Sequence, residues 1–514
     1  MPIKKQTFTN VYDNLAKIID VDDSRGRSVP TNMNFIEEGF LSKDTGCSYF
    51  GDTDASTDIH SIFVYKKKSG TRYILRAKGT KLQVYNTGTG VFDNLTPTYT
   101  AGAKFGFVVY DDNLYGCNGV EDFFKWDGTT FTTYASAPKG NILEIFEDRM
   151  FVAGVTAEPL TIYYTDAGTV TTFPGANVLK PLGTDSVKAL ENYYGTMMIF
   201  KKDSIWKLTF VYDQVATIFV PKLEVQSGTY GACSRKAVSW VENDLWFFTG
   251  REVRSIGYKD QQIGILGVNQ SVISETIKET LYTIPVANLD NVATFYYDRR
   301  FYLSVPLSAT TNDTTFVCHT LHGNSWTKYT DRIKAKNQDY MEIDGVVYSA
   351  SSVATYGIMK WDTTLLNDIS TGISAEVLFD RFEDSDFNRF AVYRYLDLMF
   401  KDLQARITVT VKTDANNGRT TSTNTFIIGS ETVSELMALG EVPVGSMLYG
   451  DSYGYSVTFS AFQKKRVSFL EKGQSMIVGL SNGNAYETFT LAQIAVTGHR
   501  EPREMIRPSN IVSV

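Results

Sequence analysis

The sequence predicts an all-β protein in which a β-propeller of about seven blades is followed by a β-sandwich, with one short inserted helix. The chain is rich in strand- and turn-forming residues, with 30 Tyr, 32 Phe and 39 Gly among 514 residues. Short runs of β-branched and aromatic residues alternate with Gly- or Asn-bearing turns. Similar segments recur about every 35 to 50 residues, which is the spacing of propeller blades. Six or eight blades remain possible, because the sequence does not show how the ring closes.

The clearest repeat covers residues 61–95, SIFVYKKKSGTRYILRAKGTKLQVYNTGTGVFDNL. Four short extended runs in it are joined by turns that contain glycine, which predicts a four-stranded antiparallel meander. One face of an isolated sheet of this size must be buried, so it needs neighbours like itself. Six further segments open in the same way, with a strand, a polar turn and an aromatic second strand: residues 107–134, 142–173, 187–225, 237–258, 292–329 and 340–361.

These patterns divide the chain into four parts. Residues 1–56 show weak patterning and are predicted to be an N-terminal arm. Residues 57–365 are predicted to form the propeller, and residues 366–498 contain about eight strand-like runs without blade spacing, as in a β-sandwich. The polar residues 499–514 are predicted to be a tail that docks on another surface or frays.

One interruption of the propeller, residues 259–289, contains the strongest helical pattern of the chain. In residues 269–282, Ser271 is a suitable N-cap, and Ile273, Ile277 and Leu281 recur at every fourth position. A packing role is the more common one for such an insertion. A second short helix is predicted at residues 433–439.

Apolar residues on the arm and on the insertion are candidates for subunit contacts, since a propeller core does not need them. These candidates are Phe35, Ile36, Phe40, Leu41, Ile273, Ile277 and Leu281.

Charge and cysteine usage narrow the classes of partner. The net charge of −7 argues against a protein that holds nucleic acid through a basic surface, although DNA could pass along it without sequence-specific binding. The four cysteines, Cys47, Cys117, Cys233 and Cys318, are far apart, so we expect free thiols in a chain made in a reducing cytoplasm. The first ten residues lack the apolar core of a signal peptide, and no apolar run approaches the length of a membrane span.

Catalytic and metal-binding patterns are weak throughout the sequence. Asp52 and Asp54 resemble the start of a calcium loop, but Thr57 and Phe63 stand where glycine and a bidentate glutamate are needed, so a solvated acidic loop is expected. Residues 165–169, TDAGT, are similar to the turn called an Asp box, which is structural. We expect His319 and His322 at the surface. No nucleophile motif, phosphate-binding loop or predictable carboxylate pair is present, so we predict no enzyme activity, no cofactor and no metal.

Several segments resemble the β-propeller structural proteins of tailed-bacteriophage virions, the group that includes the podophage tail hub or nozzle and the packaged-DNA stabilisation protein. The opening of these proteins is similar to residues 34–52, NFIEEGFLSKDTGCSYFGD. Their blades resemble residues 151–173, 194–208 (YGTMMIFKKDSIWKL), 237–256, 295–306 and 323–329, and their closing sandwich resembles residues 464–498. A Tyr-Ser-Asp turn of the family reads Tyr164-Thr165-Asp166 in this chain.

The resemblance implies a structural subunit of a phage tail that is made in the host cytoplasm and assembled into the virion. Such a subunit forms a ring around the DNA path, on the order of six copies, and contacts other tail or adaptor proteins. It helps to retain and eject the genome, and the family supplies no catalytic residues. The alternative is a carbohydrate-binding or carbohydrate-active propeller that recognises the host surface, because one fold can serve both roles.

Overall fold

A computed structural model describes residues 6–12, 29–36, 39–52, 57–215, 218–260, 265–268, 271–379, 382–383, 391–415, 419–429, 463–473, 475–484 and 486–500. The chain divides into two compact units. One comprises Thr45–Ser370, and the other combines Met1–Asp44 with Thr371–Val514. The first is a β-propeller and the second a β-sandwich, so the predicted fold class is confirmed.

The propeller consists of seven sheets, each with four antiparallel blade strands, and the first strand of each lies nearest the axis. Six blades take all four strands from consecutive sequence, because each contains its own polar turns. From the inner to the outer strand, their bounds are as follows. Blade 1 has Ile59–Lys66, Arg72–Lys78, Lys81–Asn86 and Val91–Thr98; blade 2 has Gly106–Tyr110, Asn113–Cys117, Phe123–Trp126 and Phe131–Tyr134; blade 3 has Ile142–Phe146, Arg149–Ala153, Ile162–Tyr164 and Val178–Leu179. Blade 4 has Val187–Tyr193, Thr196–Lys201, Ile205–Asp213 and Ile218–Ser227; blade 5 has Val238–Val241, Asp244–Phe248, Val253–Asp260 and Ile265–Val268; blade 6 has Ala293–Tyr297, Arg300–Val305, Thr314–His319 and Ser325–Tyr329.

Blade 7 closes the ring with a strand from the start of the chain. It contains Asn337–Ile343, Val346–Ser351 and Ile358–Trp361, and Cys47–Phe50 is its fourth strand. Cys47–Phe50 runs antiparallel to Ile358–Trp361, and Asn367–Asp368 lies parallel on its other side. The predicted boundaries at residues 56 and 365 are therefore wrong for both segments. These strands are too short to show a local pattern, and their partners are distant in sequence.

Every junction between neighbouring blades is crossed by a side-chain hydrogen bond near the turn that follows the inner strand. Three tyrosines occupy the last position of an inner strand: Tyr110, Tyr193 and Tyr297. The donors and acceptors around the ring are Tyr65 to Asp112, Tyr110 to Asp148, Asn192 to Ile145, Tyr193 to Asn243, Tyr296 to Glu242, Tyr297 to Gly345 and Arg72 to Asp344. These contacts link all seven blades into a continuous ring.

The predicted helical insertion is only partly helical. Its first described residues, 259–260, end the third strand of blade 5, and Ile265–Val268 is the outer strand, so the predicted bounds 259–289 include parts of two blade strands. The helix predicted from residue 269 begins instead with a 3₁₀ turn at Glu275–Ile277, continues as Lys278–Tyr282, and is followed by Val286–Asn291. Ser274, rather than Ser271, precedes the first turn, and its hydroxyl accepts a hydrogen bond from the Val253 N–H at 2.8 Å. Other 3₁₀ turns lie at Thr320–His322, Ile333–Ala335 and Ala354–Tyr356.

The second unit contains two antiparallel sheets. The strands of the first follow the order Met33–Phe35, Leu41–Lys43, Thr488–Arg500, Ala391–Gln404 and Gln463–Gly473, and Gln6–Tyr12 also pairs with Thr488–Arg500. The second has the order Ala375–Leu378, Ser475–Asn482, Ile407–Ala415 and Arg419–Ile428, and Phe382–Glu383 also pairs with Ser475–Asn482. A two-residue strand, Thr371–Gly372, opens the C-terminal part of the unit.

The predicted arm is thus not a separate element. Its strands Met33–Phe35 and Leu41–Lys43 belong to the first sheet of the sandwich, since Leu41 lies opposite Leu491 in the register. The predicted tail begins within the strand that ends at Arg500. The helix predicted at residues 433–439 and the rest of the tail, residues 501–514, lie outside the described residues.

Candidate functional site

A cavity of about 260 Å³ lies on the propeller axis and is lined by six of the seven blades. Its lining residues come mostly from the first half of each inner strand. Phe63, Phe107 and Leu190 provide apolar walls, as expected for strands whose side chains pack between blades. Charged side chains interrupt these walls at two places, one acidic and one basic.

The acidic place is formed by Glu144 and Glu191, on the neighbouring inner strands of blades 3 and 4. The Asn192 side chain donates a hydrogen bond to Glu144 Oε1 at 2.7 Å. Burial raises the pKa of Glu144 to about 7, although a hydrogen bond from the backbone N–H of Ile145 acts in the opposite direction. Burial and then the negative charge of Glu144 raise the pKa of Glu191 to about 8. The two carboxyls therefore retain protons near neutral pH.

The basic place is formed by Arg235 and Lys236, which precede the inner strand of blade 5. Arg235 Nη1 donates to the Asn141 carbonyl at 2.8 Å, whereas its buried Nη2 has no acceptor among the described residues. Lys236 forms an ion pair with Asp339, whose Oδ2 also accepts the Ile62 N–H at 2.8 Å. Burial lowers the pKa of both cations, and Asp339 opposes this effect.

Lys104 adds a third cation close to this place. Its Nζ donates to the Asp290 carbonyl at 3.0 Å and to Asn291 Oδ1 at 2.8 Å. Burial, followed by repulsion from Arg235 and Lys236, lowers its pKa to about 8. The cavity therefore joins a region of excess positive charge to a pair of proton-holding carboxyls, an arrangement that suits binding and proton exchange near neutral pH.

The sequence did not reveal the carboxyl pair, because Glu144 and Glu191 are nearly a blade apart in sequence. A signal does exist in ILEIF and ALENY, where a glutamate stands inside an apolar inner strand. Only the register of neighbouring blades brings these two glutamates onto one cavity.

The candidate subunit contacts are mostly core residues of this chain. Phe35, Leu41, Ile277 and Leu281 are buried in their own units, which overturns the hypothesis that they contact another subunit. The physical reason is that short arms and turns fill gaps in the nearest core. The remaining three, Ile36, Phe40 and Ile273, are half-buried.

A different apolar surface is exposed on the outer hairpin of blade 4. Its strands, Ile205–Asp213 and Ile218–Ser227, are 9 and 10 residues long. Large apolar side chains around its tip are exposed by 46% to 95%: Val211, Tyr212, Val215, Ile218 and Phe219. We call this set the blade 4 hairpin patch. Sequence reasoning assigned these residues to an ordinary blade and missed their exposure.

The remaining sequence candidates have structural roles. The carboxylate of Asp52 contacts Arg76 at 2.7 Å, and residues 53–56 of the predicted acidic loop lie outside the described residues. The Thr165 hydroxyl accepts the Met150 N–H at 3.0 Å within the turn after the third strand of blade 3. His319 is buried against Thr327, contrary to the expected surface position. All four cysteines are buried free thiols.

No group of three or more His, Cys, Asp or Glu side chains with metal-binding geometry occurs within the described ranges. In the same part of the chain, none of the helices has the length and apolar character needed to span a membrane.

Comparisons with known proteins concern the fold. No family model matches the chain, and no curated protein matches it. Among solved structures it is similar to YCF48 bound to D1 peptide, with 9% identity and a TM-score of 0.39 over 65% of this chain and 98% of that chain. It is also similar to the extracellular domain of the putative one-component system BT4673 from B. thetaiotaomicron, with 8% identity and a TM-score of 0.43 over 66% of this chain and 43% of that chain. These likenesses carry no information on the role of the chain.

Proposed function

We propose that this chain is a non-enzymatic structural subunit of a bacteriophage tail. Several copies form a ring around the DNA path, contact neighbouring tail or adaptor proteins, and help to retain and eject the genome. The observation that carries the proposal is the blade 4 hairpin patch, and the resemblance of residues 34–52 and of the blade segments to phage tail proteins supports it.

The blade 4 hairpin patch suits a surface that is covered after assembly. Leaving a large apolar side chain in water forgoes roughly 1.5–3 kcal/mol that its full burial would contribute. Contiguous apolar patches on soluble proteins often mark interaction sites. Pro221 and Lys222 lie in the outer strand, where both residue types discourage the addition of another strand. The contact should therefore form through side chains, and we propose a second copy of this chain as the partner.

The DNA path belongs to the assembled ring and not to the propeller axis. The axial cavity of about 260 Å³ is below the usual range of small-molecule pockets, roughly 300–1,000 Å³, so a DNA duplex cannot pass through it. A ring of stiff propellers could enclose a wider channel. The net charge of −7 suits a surface past which DNA slides without binding.

A carbohydrate-binding propeller is the second candidate. Tyr194 and Trp240 are both exposed where the inner strands turn, with their ring centroids 5.5 Å apart. Exposed aromatic rings beside a carboxylate such as Glu242 could hold a sugar. Binding of the chain to immobilised host glycans distinguishes the two candidates. A carbohydrate-binding propeller should be retained on the glycans through Trp240, whereas the tail proposal expects no retention that depends on Trp240.

Charged substitutions in the blade 4 hairpin patch test the assembly role. Particles carrying the double variant Ile218→Lys/Phe219→Lys should lack complete tails, because two lysines in the interface would be desolvated without partners. The purified variant should unfold at the wild-type temperature, since both side chains are exposed by more than half. Leu182→Lys is the matched control, because Leu182 is an exposed apolar residue away from the hairpin. Normal tails in the double variant would contradict the proposal.

A further inference from the structure

The axial cavity has features of a binding site that the structural role does not use. We propose that it binds a small hydroxycarboxylate of sugar-acid type, with the carboxylate on Arg235 and the hydroxyls on Glu144 and Glu191. This inference is independent of the proposed tail function.

Arg235 provides the site for the carboxylate. Its Nη1 is occupied by the Asn141 carbonyl, the buried Nη2 has no acceptor among the described residues, and Arg235 is one of the residues that line the cavity. A buried guanidinium donor without an acceptor is costly. A ligand carboxylate would satisfy this donor with a charge-assisted hydrogen bond.

The charge near Arg235 also favours an anion. Arg235, Lys236 and Lys104 are three cations in mutual electrostatic contact. Asp339 pairs with Lys236, and the Asp290 carboxylate pairs with Lys188 at 2.7 Å. Lys104 is held by neutral oxygens and Arg235 by a carbonyl, so two positive charges are left without a carboxylate of their own.

Glu144 and Glu191 suit hydroxyl groups at the other place. The described residues offer the Glu191 side chain no hydrogen bond and no ion pair, and its titratable neighbour is Glu144. A carboxyl pair that holds protons near neutral pH both donates and accepts hydrogen bonds. A ligand hydroxyl does the same, whereas a carboxylate only accepts hydrogen bonds.

The walls set the size and shape of the ligand. Phe107 packs beside Phe63 and Phe105, with ring centroids 5.3 Å and 5.4 Å away, so one wall is aromatic. The volume of about 260 Å³ fits a molecule no larger than about a monosaccharide. A single ring that carries one carboxylate and several hydroxyls meets all three conditions.

Calorimetric titration of the full chain with D-galacturonate tests the proposal, with D-galactose, acetate and inorganic phosphate as comparison probes. We expect one galacturonate per chain, and at least about tenfold weaker binding of each comparison probe, since each lacks one of the recognised features. Arg235→Gln should weaken galacturonate binding by at least about tenfold, whereas Arg299→Gln, on an exposed turn, should leave it unchanged.

Ala189→Met keeps the test valid if loss of Arg235 impairs folding. Ala189 lines the cavity, and methionine at this position should occupy ligand space and abolish binding. Absence of galacturonate binding, equal binding of galactose or phosphate, or unchanged binding in a folded Ala189→Met protein would each overturn the proposal.

Discussion

Glutamates 144 and 191 show how single residues acquire a role that local sequence cannot reveal. Glu144 is the one polar residue of its inner strand, Glu191 follows the apolar pair Ala189-Leu190, and on its own each would be assigned to a solvent-facing position. The alternation of a strand fixes which face a side chain takes, but it does not say which blade lies next to it. The carboxyl pair, and with it the cavity, depends on that neighbour.

The pH dependence of stability tests the environment of the two carboxyls. Unfolded glutamates titrate near about 4.3, whereas the folded pKa values are about 7 for Glu144 and about 8 for Glu191. As pH rises from 5 to 7.5, the folded state retains protons that the unfolded state has released. The free energy of unfolding should therefore fall, by at most about 1.4 kcal/mol per pH unit and per proton.

The double variant Glu144→Gln/Glu191→Gln should lose this part of the pH dependence. It should gain stability relative to the wild type as pH rises from 5 to 7.5, as measured by denaturant unfolding. Lys104, with a pKa of about 8, contributes in the opposite direction above this interval, so the comparison stops at pH 7.5. Parallel stability curves for variant and wild type would show that the carboxyls are ionised and solvated in the folded protein.

At the scale of elements, the strand that closes the ring depends on a buried ion pair. Arg332 binds Asp368 through two hydrogen bonds, at 2.9 Å and 2.7 Å, and both side chains are almost fully buried. Arg332 also donates to the Thr45 carbonyl at 2.8 Å, and Asp368 lies opposite Cys47 in the register. The ion pair therefore holds Cys47–Phe50 in blade 7.

The variant Asp368→Asn should destabilise the propeller by about 3 kcal/mol or more, because Arg332 would remain buried without its counter-charge. Asp111→Asn is the matched control. Asp111 contacts Lys68 at 3.1 Å, but both side chains are about three-quarters exposed, so its loss should change stability by about 0.5 kcal/mol or less. Equal effects of the two substitutions in denaturant unfolding would contradict the role of the ion pair.

At the scale of the whole molecule, the sequence predicted elements formed by neighbouring residues and missed strand pairings between residues far apart in the chain. The seven blades were found because each contains at least three consecutive strands with their own turns, such as the Asp127-Gly128 turn of blade 2. The closing strand and the arm strands were missed, because their partners lie hundreds of residues away. Leu41 lies opposite Leu491 in the register, and no sequence feature of the arm predicts this pairing.

The same limit affected the choice of assembly surface. Apolar residues on the arm and the insertion were predicted to contact other subunits, yet Phe35 and Leu281 are buried in this chain. The blade 4 hairpin patch is exposed because its strands extend beyond the protected part of the sheet. This exposure depends on how far the two strands extend beyond their neighbours in the folded sheet. The pattern of apolar residues in the sequence does not show that.

The most direct test of the central claim is the copy number, symmetry and position of this chain in an image reconstruction of the intact particle. We expect a closed ring about the tail axis, on the order of six copies as the resemblance implies, with the blade 4 hairpin patch at the subunit contact. A single copy, copies on a peripheral fibre, or a ring that leaves Ile218 and Phe219 in solvent would contradict the account.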